Sequence, residues 1–205
     1  MSESLSRREI LLRHNAGLFE GCFIRCDGSG REHERFGSRL EVADRAGTIH
    51  ADLTNLSTGQ VRSMAFREPP AVMQISEAGH WSLGPDRIGP WPWVCELCLV
   101  WGDRRRRVVV RHSSVGLDSL VLVCESRPGG CDEAPEAPLQ LRPNDLPPQQ
   151  QRWAIPAPAA CTVTAMGQRV PAGSSEAVAL HWQPEPGVSL QLWRRYSEHG
   201  LLLEP

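Results

Sequence analysis

The sequence contains no lysine, and all 22 of its basic residues are arginine. This absence excludes every mechanism that needs a lysine amine, including Schiff-base formation, phosphate-loop binding and lysine general-base catalysis. Genomic codon bias is a sufficient explanation for the use of arginine alone. The sequence also lacks a run of about 18 apolar residues, so we expect no membrane-spanning helix.

The net charge of the chain is also small. The 22 basic residues stand against 24 acidic ones, which gives a formal net charge of −2. We therefore expect no nucleic-acid partner, because nucleic-acid-coating proteins are typically basic. Segment 1–9 mixes charges and has no apolar signal core, which predicts a cytoplasmic protein. In that compartment the seven cysteines, an odd number, are expected to be reduced thiols.

The sequence does contain a long series of segments typical of β-strands. A single short helix at about 6–15 is predicted first, because Ser6 and Glu9 form a capping-box pattern ahead of apolar residues. Turn sequences then recur every eight to twelve residues or so, which is the spacing of an antiparallel barrel or sandwich. The sequence therefore predicts an all-β protein, an antiparallel up-and-down β-barrel with a short N-terminal helix.

Proline-rich segment 128–158 interrupts this pattern. It holds eight of the 17 prolines and little periodicity, so we interpret it as a linker or long loop. The main part of the barrel then spans 1–127, and further strands lie in 159–205. The strand candidates in this last part are 161–166, 177–182 and 188–196. They either close the same barrel, which is the favoured interpretation, or belong to a second sheet.

The hairpin formed by 93–101 and 104–112 carries the clearest facial pattern. Every second residue from Trp93 to Trp101 is apolar, so one face of this strand meets a core. Glu96 marks the other face as partly polar.

The second strand of that hairpin opens with four consecutive arginines, 104–107. Consecutive residues alternate faces, so two of these arginines must point to the interior or its mouth. For Arg104 and Arg105, next to the turn, we favour exposure to solvent at the hairpin tip. Arg107 and Arg111 share a face and have two open interpretations. They either pair structurally or bind a ligand carboxylate through the guanidinium fork.

Large aromatic side chains are concentrated near the same hairpin. Trp81, Trp91, Trp93 and Trp101 lie close together in the sequence, whereas tyrosine occurs only once. They either pack at a barrel corner or form the aromatic wall of an apolar pocket. Trp81, Trp93 and Trp101 are therefore candidate ligand-binding residues.

The local motifs for metal or covalent chemistry are weak. Cys95 and Cys98 form a CxxC, but in a strand these two positions point to opposite faces, and no second CxxC follows. The histidines are scattered, and we find no nucleophile elbow, phosphate loop or dinucleotide fingerprint. We expect no metal and no cofactor, and nothing in the sequence favours hydrolysis or phosphoryl transfer.

Several blocks within about 8–127 resemble, in order and spacing, an uncharacterised lipocalin-like (calycin) family of cyanobacteria and plastid-bearing organisms. The segment Gly17 to Gly21 is similar to the Gly-x-Trp start of the first lipocalin strand, with Phe19 in place of tryptophan. The blocks are His14 to Arg25 with Asp27-Gly28, Gly79 to Pro85, Val94 to Leu97, Asp103 to Val110, and Leu120 to Glu125.

The resemblance implies a lipocalin-like barrel and a fold relationship to the phycobilin lyases. Those proteins bind an open tetrapyrrole with two propionates and deliver it to a cysteine of a phycobiliprotein. By this fold-level analogy Arg107, Arg111 and Trp93 would contact the ligand, and Glu96 is the candidate catalytic acid. The implied partners are a hydrophobic or bilin-like small molecule and a phycobiliprotein subunit, in the cytoplasm or plastid stroma.

Three functions stay open at this point. The favoured one is a lipocalin-like binding protein for a hydrophobic or tetrapyrrole-like small molecule. The second is a phycobilin lyase or bilin chaperone, which alone would make the protein an enzyme. The third is a non-catalytic interaction or assembly factor that uses 128–158 as its contact surface.

Overall fold

The structure is a computed structural model that describes residues 5–130, 132–146, 150–166 and 176–205. Its elements in chain order are α1 (Arg7–Asn15), β1 (Gly17–Asp27), β2 (Glu32–Arg45), β3 (Thr48–Asn55), β4 (Val61–Phe66), β5 (Gln74–Ile75), β6 (Trp81–Leu83), β7 (Trp93–Trp101), β8 (Arg104–His112), β9 (Leu117–Ser126), β10 (Pro143–Leu146), β11 (Gln150–Ile155), β12 (Cys161–Met166), β13 (Glu176–Trp182) and β14 (Leu190–Arg195).

Helix α1 begins where its capping box predicts. The Ser6 hydroxyl accepts a hydrogen bond of 3.2 Å from the Glu9 backbone N–H, and a Glu9 carboxylate oxygen accepts one of 2.8 Å from the Ser6 backbone N–H. These two bonds satisfy backbone donors that the first turn leaves without partners. The prediction of an all-β, barrel-like fold with a short N-terminal helix is confirmed.

Nine strands form the larger sheet, in the order β4-β3-β2-β1-β9-β8-β7-β6-β5. Every neighbouring pair is antiparallel. Two meanders, β1–β4 and β5–β9, are therefore joined by the pairing of β1 with β9. The sheet curves into a half-barrel. Its central strands contribute to a core cluster on each face.

The remaining strands, β10 to β14, form a second antiparallel sheet in sequence order. Two of them, β10 and β11, lie where the sequence predicts a linker or long loop. Trp153 and Ile155 are buried on one face of β11, while Pro143 begins β10 at the sheet edge, where a missing N–H breaks no ladder. The sequence favours C-terminal strands that close the barrel, but β12–β14 pair within the second sheet instead. There β12 pairs with β11 rather than with a strand of the larger sheet.

The second sheet packs on one face of the half-barrel, which we call the sheet-packed face. The alternation expected for β7 places Cys95, Leu97 and Leu99 there with no exposed area. The opposite face, which we call the helix-side face, carries Cys98 and Val100 and is partly covered by α1. Both faces of β7 are therefore buried, each by a different distant element.

Arg194 fastens the second sheet to the half-barrel. Its fully buried guanidinium extends from β14 toward β6 and the chain that follows it. It donates hydrogen bonds to the Tyr196 hydroxyl (2.9 Å), the Ser82 hydroxyl (3.2 Å) and the carbonyls of Gly84 (2.9 Å) and Pro85 (3.0 Å). All of these acceptors are neutral, so the buried charge is stabilised by oriented dipoles.

Candidate functional site

The arginine-rich start of β8 lies inside the protein. Arg105, Arg106 and Arg107 have relative exposures of 1%, 0% and 8%. The expectation that Arg105 reaches solvent at the hairpin tip is therefore wrong. The physical reason is that β8 lies between β7 and β9 and is covered on both faces, so either direction leads to a buried environment.

On the helix-side face, two of these arginines share one carboxylate. Glu125 lies 2.8 Å from Nη2 of Arg105 and 2.7 Å from Nε of Arg107. Nη1 of Arg107 also donates to Glu96 at 2.6 Å. Burial raises the pKa of Glu125, but the two guanidinium groups outweigh it and hold that pKa below its usual value. Two positive and two negative groups thus neutralise one another in a buried cluster.

This cluster determines where two predicted site residues lie. Arg107 and Glu96 are brought together, but as partners of each other. The Glu96 side chain retains 22% exposure and the Arg107 side chain 9%. The Glu96 carboxylate is therefore engaged by a guanidinium of the same protein rather than turned toward a ligand.

Asn15, the last residue of α1, connects the helix to the same cluster. Its Oδ1 accepts hydrogen bonds from Nε1 of Trp81 (3.1 Å) and Nη1 of Arg105 (3.3 Å). Its Nδ2 donates to the Gly79 carbonyl at 3.1 Å. Trp81, a candidate ligand-binding residue, therefore has its indole N–H bonded within the packed region between helix and sheet.

The remaining predicted ligand residues lie apart from this cluster. Trp93 is on the sheet-packed face, stacked on His112 with ring centroids 3.9 Å apart, and Trp101 is partly buried on that same face. Arg111 is exposed near the end of β8. Across the described parts of the chain, the five predicted residues do not line a common pocket.

Arg106 and Asp132 form a separate ion pair on the sheet-packed face. Nη2 of Arg106 donates to Asp132 at 2.7 Å, and the guanidinium lies 5.1 Å from the centroid of the Trp182 ring. Burial raises the pKa of Asp132 to about 6 despite this partner. The pair helps to bury charge between the two sheets but borders none of the cavities described below.

A cavity of about 360 Å3 opens where the end of α1 meets the hairpin turn between β7 and β8. We call it the cationic pocket. Its lining residues are Arg13, His14, Ala78, His80, Val100, Trp101, Gly102, Arg127 and Leu190. It includes one predicted ligand residue, Trp101, and four basic side chains, and no carboxylate is among the described residues that line it.

Two glycines make room for the basic side chains of this pocket. A Cβ at Gly17 would overlap the guanidinium of Arg127. That guanidinium donates a hydrogen bond of 2.8 Å to the Ala16 carbonyl. A Cβ at Gly79 would overlap the side chain of His14. Both glycines also have positive φ, +110° and +79°, which L side chains rarely adopt.

His80 is held in one tautomer when it is neutral. Its Nδ1 accepts a hydrogen bond of 3.2 Å from the Val100 backbone N–H, so the ring proton is on Nε2. Burial, together with the nearby His14, lowers the pKa of His80. Asp103 lies 3.5 Å from Nε of Arg127 with 70% of its side chain exposed, so solvent screens this pair.

The pocket therefore combines positive charge and N–H donors with apolar walls formed by Val100, Trp101 and Leu190. Such a cavity is suited to a ligand with an acidic group and an apolar body. Sequence reasoning missed all four of these basic side chains, Arg13, His14, His80 and Arg127. The available signal was that His14 and Gly79-His80 begin two of the blocks that carry the family resemblance, and these blocks meet here.

The cysteine motif has no reactive thiolate. Cys95 and Cys98 lie in different core clusters on opposite faces of β7, as expected. Burial raises the pKa of Cys95 to about 11 and that of Cys98 to about 12, so both thiols stay protonated near neutral pH. Within the described ranges, no group of three or more His, Cys, Asp or Glu side chains is arranged to hold a metal ion. None of the described helices has the length and apolar character that crossing a membrane requires.

The half-barrel, the second sheet and the capped helix define an all-β, barrel-like protein. The structure is similar to that of a DUF3598-family protein of unknown function from the cyanobacterium Nostoc punctiforme, with a TM-score of 0.70. The two chains are 18% identical, and the match covers 97% of this chain and 96% of the other, so the likeness concerns the fold alone. No protein-family model matches the chain, and no curated protein shows significant similarity to it.

This neighbour agrees with the predicted resemblance in one respect, since it is a cyanobacterial protein of unknown function, as are members of the family that the sequence resembles. The lipocalin relationship itself stays a prediction.

Proposed function

We propose that this protein binds a small amphipathic molecule, with its acidic group and part of its apolar body in the cationic pocket. The observation that carries this proposal is the lining of that pocket, where Arg13 and Arg127 accompany the apolar surface of Trp101 and Leu190. A guanidinium recognises a carboxylate through paired, charge-assisted hydrogen bonds, while the apolar walls exclude water. Its volume of about 360 Å3 is at the lower end of the range for small-molecule sites.

This proposal narrows the ligand favoured by the sequence, a hydrophobic or tetrapyrrole-like small molecule, to one with an acidic group, and of the predicted ligand residues it keeps Trp101 alone. A bilin carries two propionates on an apolar framework and so belongs to the class. The lyase hypothesis would need Glu96 as an acid, although Arg107 occupies that side chain. The assembly hypothesis would use 128–158, part of which forms β10 and β11 of the second sheet. Neither alternative has a specific structural observation in its favour.

The test compares two charged ligands with an uncharged one. Dodecanoate, biliverdin and dodecanol are titrated into the full-length protein by isothermal calorimetry. The double variant Arg13→Gln/Arg127→Gln is expected to weaken binding of both acids about tenfold or more, since a hydrogen bond to a charged group contributes roughly 1.5–3 kcal/mol. Dodecanol binding should change little. Arg62→Gln, which removes an exposed arginine from β4, is the matched control.

The outcomes separate the possibilities clearly. If the double variant binds the acids as tightly as the unchanged protein does, the cationic pocket is not the site. If biliverdin binds and dodecanoate does not, the ligand class narrows to bilins. If neither acid binds, the proposal is rejected for both members of the class.

A further inference from the structure

The second sheet presents a row of four aligned residues on its exposed face. The strand registers align Arg152 with Thr164, Thr164 with Ala179, and Ala179 with Trp193, across β11 to β14. Trp153 follows Arg152 and is fully buried, so the two faces of β11 are distinct. The four aligned side chains point away from the half-barrel because residues in direct register share a face.

This row forms the floor and walls of a depression of about 320 Å3. Ala179 has the smallest side chain of the row, so the surface is low between Thr164 and Trp193. The Trp193 side chain rises on one side, and its residue is 39% exposed. The guanidinium of the neighbouring Arg195 lies 5.2 Å from the centroid of the Trp193 ring and restrains it. Arg152 rises on the opposite side.

Several polar groups that can form hydrogen bonds lie between these two walls. Thr162 and Thr164 supply hydroxyl groups, and Gln191 supplies an amide. His181 also lines the depression, and its Nε2 lies 2.8 Å from the Ser189 hydroxyl. Among the described lining residues there is no carboxylate, and Arg152 supplies a guanidinium that favours an anionic ligand.

The width of the depression limits the size of its occupant. Adjacent strands lie about 4.8 Å apart, so the backbones of Arg152 and Trp193 are separated by three spacings, or about 14 Å. The two long side chains extend over part of that distance. The gap that remains between these two side chains suits a ligand about as wide as a single saturated ring.

We propose that this depression binds an acidic monosaccharide, meaning a sugar ring that carries a carboxylate or a phosphate. The apolar face of the sugar packs on Trp193, its hydroxyl groups bond to Thr164 and Gln191, and its acidic group pairs with Arg152. The site lies on the second sheet, has no residue in common with the cationic pocket, and takes a hydrophilic ligand. It is therefore a function additional to the amphipathic-ligand binding proposed above.

The experiment uses saturation-transfer NMR and calorimetry on the full-length protein with D-glucuronate, glucose 6-phosphate, D-glucose and inorganic phosphate. We expect glucuronate and glucose 6-phosphate to bind with millimolar or tighter affinity, and glucose about tenfold more weakly. Trp193→Ala should abolish binding of all three sugars. Arg152→Gln should reduce the affinity for the two acids to that for glucose. Trp91→Ala, which removes another exposed tryptophan, is the matched control and should change nothing.

Each other result overturns the proposal. Absence of binding by both acidic sugars rejects the site. Binding of inorganic phosphate as tight as that of glucose 6-phosphate rejects sugar recognition and leaves a simple anion site. Binding that survives Trp193→Ala places the sugar elsewhere. The Arg13→Gln/Arg127→Gln variant should bind glucuronate normally, so failure of this site and failure of the cationic pocket are distinguished.

Discussion

Glu125 accepts a hydrogen bond of 2.7 Å from Nε of Arg107 while only 1% of its own side chain is exposed. The strand register explains this contact. Glu125 on β9 lies directly opposite Arg105 on β8, and Arg107 is the diagonal neighbour two residues farther along. A single carboxylate therefore reaches both guanidinium groups on the helix-side face, which is the usual reach of cross-strand side chains.

Replacing this carboxylate should destabilise the fold strongly. Glu125→Gln keeps the shape but removes the charge, so Arg107 retains its ion pair with Glu96 while Arg105 loses its ion pair with Glu125. The expected loss is about 3–5 kcal/mol in the free energy of unfolding, measured by urea denaturation. Glu20→Gln breaks an exposed pair with Arg39 and should lose less than about 1 kcal/mol. Equal losses in the two variants would contradict the ion-cluster interpretation.

Stability should fall in acid because of His112. Burial lowers the pKa of His112 to about 4 from 6.5, so the folded state holds the neutral ring. The unfolded chain binds the proton first, and stability is therefore lost as pH falls below about 6.5 and levels off below about 4. Between pH 7 and pH 5 the unchanged protein should lose about 2 kcal/mol more than His112→Gln does.

The comparison with His112→Gln is necessary because Asp132 acts in the opposite direction. Its raised pKa of about 6 means that the folded state binds a proton more tightly than the unfolded chain, so stability declines as pH rises toward 6. This contribution is common to both proteins and cancels in the difference. Parallel pH profiles for the two proteins would show that His112 does not titrate as described.

Gly79 should tolerate a side chain less well than Gly47 does. Both have nearly the same left-handed φ, +79° and +81°, but a Cβ at Gly79 meets His14, whereas nothing lies within 4 Å of one at Gly47. Each alanine substitution should lose about 1–2 kcal/mol from backbone strain. Gly79→Ala should lose about 1–3 kcal/mol more from overpacking, and it should also weaken ligand binding in the cationic pocket. Calorimetric unfolding of both variants measures the difference, and equal melting temperatures would contradict the contact.

Arg194 should matter far more than its neighbour Arg195. Arg194→Met removes the hydrogen bonds of a buried guanidinium to neutral acceptors and should lose about 2–4 kcal/mol of unfolding free energy. Arg195→Met removes an exposed contact with Trp193 and should lose about 0.5 kcal/mol. Chemical denaturation followed by tryptophan fluorescence tests both. Similar losses would mean that the clamp between β14 and β6 contributes little.

The sequence alone was sufficient for the features that depend on local periodicity and turn chemistry. The capping box at Ser6 and Glu9 predicted the helix, and the alternation from Trp93 to Trp101 predicted which face of β7 meets a core. The opposite directions of Cys95 and Cys98 followed from the same alternation. Each of these depends on neighbours a few residues away, which the sequence displays directly.

The tertiary structure alone decided what covers each face and which distant residues meet. Arg105 is buried because α1 and the strands beside β8 cover the helix-side face, and no local pattern encodes that coverage. The second sheet exists because β11 pairs with β12 despite the prolines around it. The cationic pocket joins His14, His80 and Arg127 from three distant segments. Of the five ligand residues predicted from the sequence, only Trp101 lines it. Burial and convergence are properties of packing between distant segments, whereas periodicity reports only the direction in which a side chain leaves its own strand.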